Sequence, residues 1–162
     1  MKRIIMLAGI GGTGKSTYAN KLNLEGKVEI VSSDEIRLSL TGSYDKMLKD
    51  MSVVYKTMIE NANELLKNNE DITIILDSTF LDDNRRNFFL DRLKGYDTLD
   101  LIMLKVHDSS IIFKRNKLRA KEKWIPEDVL SDMIKRYSYP SEEYINRYTS
   151  ISEVYVDEGV NS

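Results

Sequence analysis

Gly9-Ile10-Gly11-Gly12-Thr13-Gly14-Lys15-Ser16 matches the pattern G-x-x-x-x-G-K-[ST] in full and is the most informative segment of this chain. The apolar run Ile4-Ile5-Met6-Leu7-Ala8 precedes it and is typical of a strand buried on both faces. Residues 13–24 then have the pattern of a helix. A glycine-rich turn between strand and helix lets successive backbone N–H groups point at an anion, and the helix N-terminus adds the positive end of its dipole. The stretch therefore predicts a phosphate-binding loop.

In this loop, Lys15 is expected to reach the β- and γ-phosphates of a nucleotide, and the Ser16 hydroxyl is expected to ligate Mg²⁺. Strand, loop and helix follow one another in register, which argues against a chance glycine-rich turn. The motif taken alone indicates ATP or GTP, and we predict ATP with Mg²⁺. The predicted ATP-binding residues are Gly9, Ile10, Gly11, Gly12, Thr13, Gly14, Lys15, Ser16 and Thr17.

The composition is that of a soluble globular protein. With 162 residues, 41% of them apolar and 31% charged, we predict one domain over residues 1–162. No cysteine is present, which excludes disulfides and thiolate metal sites, and a single histidine excludes a multi-histidine site. The net charge of −2 gives no global attraction for nucleic acid, so a polyanion would need a local basic patch. We recognise no signal peptide and no run of about 20 apolar residues, and expect a cytoplasmic protein without membrane association or an obligate protein partner.

Strand and helix patterns alternate along the rest of the chain. This alternation predicts an α/β fold with a parallel sheet, helices on both faces and right-handed crossovers. Ligands of such sheets bind at the carboxyl ends of the strands. After the first strand and helix, we predict strands at 28–31, 72–76, 99–106 and 154–156, and helices at 34–40, 44–68, 82–94, 110–121, from Pro126 onward, and at 141–148.

Two charged residues follow the second predicted strand. Asp34 lies at its end, and Arg37 comes three residues later on the same face of a short helix. Phosphoryl transfer needs a group that orients the acceptor hydroxyl and takes its proton. A carboxylate beside a guanidinium can hold that hydroxyl and a neighbouring acceptor phosphate. We therefore predict a catalytic role for Asp34, while a carboxylate here can also simply cap the helix.

Polar residues also follow the third predicted strand. Asp77 ends this strand in the manner of a Walker B carboxylate, which accepts a hydrogen bond from the water shell of Mg²⁺ or from Ser16; a purely structural role is the alternative. Thr79 is a candidate acceptor-side residue. Arg85 and Arg86 are placed to meet an acceptor phosphate or to lie on the surface.

Residues 114–123 hold six lysines and arginines and one glutamate, a local charge of +5. Such runs are usually solvated helix faces. Here Arg115 and Arg119 are spaced to share one helix face, so we predict a lid over residues 114–126 that neutralises transferred charge and excludes water. Trp124 can stack on a base or pack at the lid hinge. We assign no role to His107.

Together these segments resemble the phage-type polynucleotide 5′-kinase family from about residue 3 to residue 144. The D-x-x-R and R-N-x-x-R spacings together are more specific to this family than the phosphate loop. The matching segments are Gly9 to Ser16, Ser33-Asp34-Glu35-Ile36-Arg37, Asp77-Ser78-Thr79, Arg115-Asn116 with Arg119, and Ile125-Pro126-Glu127-Asp128-Val129-Leu130.

The resemblance implies a P-loop kinase fold, a three-layer αβα sandwich whose five-stranded parallel sheet has the order 2-3-1-4-5, with a helical lid. It implies transfer of the ATP γ-phosphate to a 5′-hydroxyl of DNA or RNA. By position, Asp34 would be the general base, Arg37 would bind the acceptor phosphate, and Arg115 and Arg119 would act on the donor phosphates.

Two departures from the family stand out. The family often has D-x-T-N after the third strand, whereas this chain has Phe80 in place of the asparagine, which puts acceptor contacts of that loop in doubt. No D-x-D-G-T motif is present, so we expect no fused 3′-phosphatase activity.

Three functional hypotheses follow. The first is a polynucleotide 5′-hydroxyl kinase. The second is a small-molecule kinase for a sugar, nucleoside or antibiotic, which would use the same donor machinery and suits an acidic net charge. The third is a nucleotide-binding switch or ATPase-driven regulator without an acceptor.

Overall fold

The computed structural model describes residues 1–11, 13–42 and 50–157. Gly12, the predicted helix start at 44–49 and residues 158–162 lie outside the described residues. Two 3₁₀ segments, Lys121–Lys123 and Glu142–Arg147, lie among the regular elements. In chain order the strands and α-helices are β1 Lys2–Ala8, α1 Lys15–Lys21, β2 Val28–Ser32, α2 Ser33–Thr41, α3 Ser52–Asn68, β3 Ile72–Ser78, α4 Asp83–Leu90, β4 Thr98–Lys105, α5 Ser110–Leu118, α6 Glu127–Arg136 and β5 Ser150–Tyr155.

The five strands form one sheet in the order β2-β3-β1-β4-β5, and every neighbouring pair is parallel. This confirms the predicted sheet and its order. The register places Ala8 opposite both Ser78 and Met103, and Ser32 opposite Asp77. The carboxyl ends of β2, β3, β1 and β4 therefore meet at one edge of the sheet, where the loops that carry the candidate site begin.

Alternate residues of β1 face opposite layers of helices, which is why the strand is apolar without interruption. Ile4 and Met6 pack in the larger core with α3 and α4, whereas Ile5 and Leu7 pack in a second core with α1. The predicted three-layer sandwich is thus confirmed. A third, smaller cluster around Ile10 joins the phosphate loop to α5 and α6.

Local capping explains where several helices begin and end. The Ser32 hydroxyl accepts from the backbone N–H of Glu35 and caps α2, so the predicted alternative of a cap by Asp34 is wrong. Gly42 ends α2 in the left-handed conformation with φ of 79°. Asp82 caps α4 through the N–H of Arg85 rather than forming its first turn.

Several predicted boundaries are wrong because buried apolar side chains pack onto the core from extended or turn backbone. Helix α1 ends at Lys21 rather than at residue 24, and Leu22 and Leu24 pack beside the sheet without helical backbone. Helix α4 ends at Leu90 rather than at residue 94, and Leu93 is buried just beyond it.

The second half of the chain needs further corrections. Helix α5 ends at Leu118, so Arg119 has extended backbone and does not continue the helix face of Arg115. Pro126 precedes α6 as its N-cap. The predicted helix at 141–148 is a 3₁₀ segment, and β5 begins at Ser150 and not at residue 154. Within the described part of the chain, no helix is both long and apolar enough to cross a membrane.

Candidate active site

The loop after β1 is closed by short-range hydrogen bonds. The N–H and hydroxyl of Thr13 both donate to the carbonyl of Ile10, at 3.1 and 2.7 Å. The N–H of Gly9 donates to the carbonyl of Thr79, at 3.2 Å, and so joins the loop to the end of β3. A Cβ on Gly9 would lie 2.8 Å from the Thr13 hydroxyl oxygen. Gly14 enters α1 with φ of 84°, a conformation that favours glycine.

Lys15 begins α1 and folds back across the loop. Its Cγ would lie 3.0 Å from a Cβ on Gly9, and its Nζ lies 3.7 Å from Oδ1 of Asp77. Asp77 is only 8% exposed. Burial raises the pKa of Asp77, the nearby charge of Asp34 raises it further, and the ammonium of Lys15 opposes both effects. A cation at this position therefore favours the charged carboxylate.

Asp34 lies in the first turn of α2 between two guanidinium groups. Nη2 of Arg37 lies 3.5 Å from Oδ1 of Asp34, and Nη2 of Arg119 lies 4.0 Å from Oδ2. The Asp34 side chain is half exposed, whereas those of Arg37 and Arg119 are largely buried. The carboxylate is therefore open to a solvent-borne ligand and is flanked by the two guanidinium groups.

The lid arginines both reach the phosphate loop, by different routes. Nη1 of Arg115 donates to the carbonyl of Thr13 at 3.3 Å, from within α5. Arg119 lies beyond the end of α5, yet its Nη1 would lie 2.9 Å from a Cβ on Gly11. The two guanidinium groups therefore converge on the loop although they do not share a helix face.

Three further lid residues hold this arrangement, and of these only Trp124 was given candidate roles from the sequence. Asn116 is buried, and its amide both donates to the carbonyl of Ile125 at 2.8 Å and accepts from the Ile125 N–H at 3.0 Å. Cδ1 of Ile125 would lie 2.6 Å from a Cβ on Gly11. Nε1 of Trp124 donates to the carbonyl of Arg119 at 2.8 Å. The sequence signal for Asn116 was its place inside the R-N-x-x-R pattern, and Ile125 begins one of the segments that resemble the kinase family.

Phe80, which replaces the asparagine of the resembled family, has φ of 44°. Among the described residues it is the only non-glycine residue with positive φ, a conformation in which asparagine is favoured and phenylalanine costs roughly 1 kcal/mol or more. Its ring is buried against Phe89, with the centroids 4.9 Å apart. Packing thus offsets the backbone strain.

Arg86 has a structural environment and is neither a surface residue nor a phosphate ligand. Its side chain is fully buried, Nη1 donates to the carbonyl of Phe80 at 2.9 Å, and Nη2 lies 3.4 Å from Asp83. Arg85, the residue before Arg86 in α4, is half-buried. In the described part of the chain, no hydrogen bond or ion pair joins the Arg85 side chain to Asp34 or Arg37. His107 stacks on Tyr155, which ends the outer strand β5 on the side of the sheet away from β2; the ring centroids lie 3.8 Å apart.

The residues present fit a magnesium nucleotide. No group of three or more acidic or histidine side chains among the described residues could hold a metal alone. Mg²⁺, however, takes phosphate oxygens and keeps water, so one or two protein oxygens suffice. The exposed Ser16 in the first turn of α1 would supply one such oxygen, and the carboxylate of Asp77 would accept from a water molecule of the ion.

One protein-family model covers most of the chain. The model of the AAA domain family AAA_33 matches residues 4–140. The chain belongs to the AAA_33 family. The AAA_33 segment runs from β1 to the residues after α6 and contains every residue of the candidate site. The match does not establish the phage-type polynucleotide 5′-kinase family that the motifs resemble. A comparison with curated proteins found no match.

Solved structures with the same fold include Kti12 from Chaetomium thermophilum in complex with ADP-AlF3, at 14% identity and a TM-score of 0.67. The match covers 97% of this chain and 91% of Kti12. A sugar kinase from Janibacter sp. HTCC2649 has 16% identity, TM-score 0.69, and 98% and 87% coverage. The Pnkp1/Rnl/Hen1 RNA repair complex contains a chain that is similar at 21% identity and a TM-score of 0.66. The match covers 84% of the chain described here and 44% of the chain in the complex. The AAA_33 chain therefore has the P-loop kinase fold.

Proposed function

We propose that this protein is a kinase that transfers the γ-phosphate of ATP to a hydroxyl acceptor, and that the acceptor is the 5′-hydroxyl of DNA or RNA. The observation that carries the proposal is the Asp34 carboxylate, which lies at the phosphate-loop edge of the sheet between Arg37 and Arg119. A switch that only binds nucleotide has no need of an exposed carboxylate flanked by guanidinium groups beside the loop.

The donor half of the site would hold the triphosphate. The backbone N–H groups of the loop and the Lys15 ammonium would bind the phosphates, with Gly9, Ile10, Gly11, Thr13, Gly14 and Thr17 forming the cradle. Mg²⁺, held by Ser16 and by Asp77 through a water molecule, would supply charge neutralisation at the phosphate oxygens. Arg115 and Arg119 would neutralise the charge that develops as the γ-phosphoryl group leaves.

The acceptor half would activate the hydroxyl. Asp34 accepts the hydroxyl proton as the oxygen bonds to the γ-phosphorus and the bond from that phosphorus to the bridging oxygen breaks. ADP leaves, and the products are ADP, a phosphate monoester and the proton on Asp34. Arg37 would bind the phosphate next to the acceptor hydroxyl, because a guanidinium binds phosphate oxygens in a bidentate manner. Thr79 and Arg85 are proposed as secondary acceptor contacts.

The nucleic-acid acceptor is supported by the D-x-x-R and R-N-x-x-R spacings and by the fold shared with a chain of an RNA repair complex. A small hydroxyl acceptor is the second candidate. It is supported by the net charge of −2 and by the fold shared with a sugar kinase along nearly the whole chain. Both candidates use the same donor half and the same Asp34.

An acceptor panel separates these candidates. The full-length protein is incubated with γ-labelled ATP, Mg²⁺ and, in turn, 5′-hydroxyl oligonucleotides, nucleosides and sugars. Label on oligonucleotides, with a rate that falls steeply as salt rises, is expected from the polynucleotide kinase. Label only on nucleosides or sugars, with little salt dependence, would replace it with the second candidate. ATP turnover that needs no acceptor and survives in Asp34→Ala would indicate a regulator.

A further inference from the structure

The lid has two faces of different character. The inner face is the one whose Arg115, Asn116 and Ile125 contact the phosphate loop or each other. The other face is solvent-exposed and combines cations with apolar groups. This outer lid surface consists of Lys114, Lys117, Leu118, Lys121 and Trp124, all exposed.

We propose that the outer lid surface binds the single-stranded part of the acceptor nucleic acid, with Trp124 stacking on a base near the 5′ end. The inference rests on the proposed kinase function and extends it from the reacting hydroxyl to the rest of the acceptor. It assigns a second contact region, outside the phosphate loop and the Asp34 pocket.

The position of Trp124 links the outer lid surface to the acceptor carboxylate. Its indole N–H donates to the carbonyl of Arg119 at 2.8 Å, which fixes the ring against the backbone of that residue. The guanidinium of the same arginine lies 4.0 Å from Asp34. A single-stranded nucleic acid whose 5′-hydroxyl reaches Asp34 would therefore pass along the lid beside Trp124.

The exposed apolar groups point to a stacking partner. Trp124 is 44% exposed and Leu118 is 85% exposed, although both lie in a segment rich in lysine. Proteins that bind single-stranded nucleic acid without sequence preference combine aromatic platforms for the bases with cations for the backbone. A sugar or other small acceptor would have no use for this surface.

The charge of the lid complements a phosphodiester backbone. The segment 114–123 carries +5 in a chain of net charge −2. Its two arginines are directed at the loop and at Asp34, which leaves lysines for the outer lid surface. Lys117 lies 3.4 Å from Glu127, but both side chains are mostly exposed and such a pair is weak in water. Phosphates of the acceptor can therefore replace this carboxylate.

Trp124 is the only tryptophan of the chain, so intrinsic fluorescence reports on it directly. The full-length protein is titrated with a 5′-hydroxyl oligo(dT), with the same oligonucleotide carrying a 5′-phosphate, and with ATP alone. We expect saturable quenching by both oligonucleotides and little change with ATP. Full quenching by ATP alone would assign the ring to the donor adenine, and no quenching by either oligonucleotide would show that no base stacks on it; both results overturn the proposal.

Substitutions at Trp124 separate stacking from support of the lid. Trp124→Ala should raise the KM for the oligonucleotide about tenfold, the usual worth of one stacked base. Trp124→Phe keeps a stacking face but loses the hydrogen bond to Arg119, so it should retain most of the affinity. If the phenylalanine variant is as impaired as the alanine variant, the indole positions the lid and the stacking proposal is wrong.

The lysines are tested by the dependence of binding on salt. Replacing Lys114, Lys117 and Lys121 with glutamine should reduce the slope of log KM against log salt by about 2, from about 0.7 for each lost phosphate contact. A matched control removes the same total charge from three exposed lysines that lie toward the end of the sheet where the strands begin, away from the lid. The control variant carries Lys21→Gln, Lys67→Gln and Lys94→Gln. Equal slopes in the two triple variants would overturn the proposal.

The two proposals fail separately. If the wild-type protein phosphorylates nucleosides or sugars but no oligonucleotide, the proposed acceptor class is wrong. If it phosphorylates oligonucleotides and the Trp124→Ala variant has an unchanged KM for them, only the outer lid surface is wrong.

Discussion

Nη2 of Arg119 lies 4.0 Å from Oδ2 of Asp34, and the same guanidinium borders Gly11 of the phosphate loop. One lid cation is thus shared between the donor cradle and the proposed acceptor carboxylate. A triphosphate on the loop would compete with Asp34 for this cation, because phosphate oxygens accept its hydrogen bonds more strongly. Binding of ATP would therefore draw Arg119 away from Asp34 and leave this carboxylate more accessible to the acceptor hydroxyl.

The first prediction concerns Asp34. Asp34→Asn removes the proton acceptor but keeps the size of the side chain, so kcat should fall about 10²- to 10⁴-fold, while the Kd for ATP changes little. Transfer rates and calorimetric titration with ATP measure the two quantities. Glu35→Gln makes the same change of charge one residue along α2, on an exposed side chain, and serves as the control. A variant at Asp34 that keeps more than a tenth of the wild-type rate would contradict the role of base.

A second prediction concerns the contact between the loop and the lid. Gly11→Ala places a Cβ 2.6 Å from Cδ1 of Ile125 and 2.9 Å from Nη1 of Arg119, distances that real Cβ atoms do not show, so the ends of these two lid side chains must shift away from the loop. We expect the KM for ATP to rise about tenfold, which corresponds to about 1.4 kcal/mol of lost binding.

The double variant tests the cause. Ile125→Val removes the Cδ1 atom itself and should cost only about 1 kcal/mol of stability alone. Combined with Gly11→Ala, it should recover part of the lost affinity for ATP. If the double variant is no better than Gly11→Ala in steady-state kinetics, the clash with Ile125 is not the reason for the defect.

A third prediction uses the pH dependence of Asp77. Burial raises the pKa of this carboxyl in the folded protein, so the folded protein holds the proton more tightly than the unfolded chain does. The resulting gain in the free energy of unfolding is fully present below the ordinary pKa of about 3.9, and it is lost as the pH rises through the raised pKa. Asp77→Asn does not titrate. The melting temperature of ligand-free Asp77→Asn, relative to the wild type, should therefore increase as the pH rises from about 4 to 7.

Two outcomes check this interpretation. A melting-temperature difference that is flat with pH would show that the Asp77 pKa is not raised by burial. Addition of Mg²⁺ and ATP should reduce the difference, because a bound cation stabilises the ionised carboxylate in the wild type only.

The fourth prediction contrasts two adjacent arginines. Arg86→Met removes a fully buried cation that holds the carbonyl of Phe80 and pairs with Asp83, so it should lower the free energy of unfolding by about 3 kcal/mol. Arg85→Met, on the half-buried neighbouring position, should change stability by about 0.5 kcal/mol or less. Urea denaturation measures both.

The same pair also tests the acceptor side. If Arg85 contacts an acceptor phosphate, Arg85→Met should raise the KM for the acceptor without a loss of stability. Equal stability losses in the two variants would contradict the structural difference between them.

Much of the fold could be predicted from the sequence because it follows from local patterns. The run from Ile4 to Ala8 and the alternation of strands with helices led to the parallel sheet, and the sheet is observed. Helix ends were predicted less well. The turn after Leu90 and the extended backbone at Arg119 depend on how the following residues pack, which residue periodicity does not encode.

The candidate site shows the same division. The phosphate loop follows from local sequence alone, because glycines, a lysine and a serine at fixed spacing between strand and helix have few other uses. By contrast, the contact of Arg115 with the carbonyl of Thr13, across 102 residues, and the approach of Arg119 to Asp34 from outside the helix depend on the packed fold. The burial of Arg86, which keeps it from a ligand, depends on the packed fold as well. The reason is physical: a loop conformation depends on neighbouring residues, whereas the meeting of distant charges depends on how whole elements pack onto the sheet.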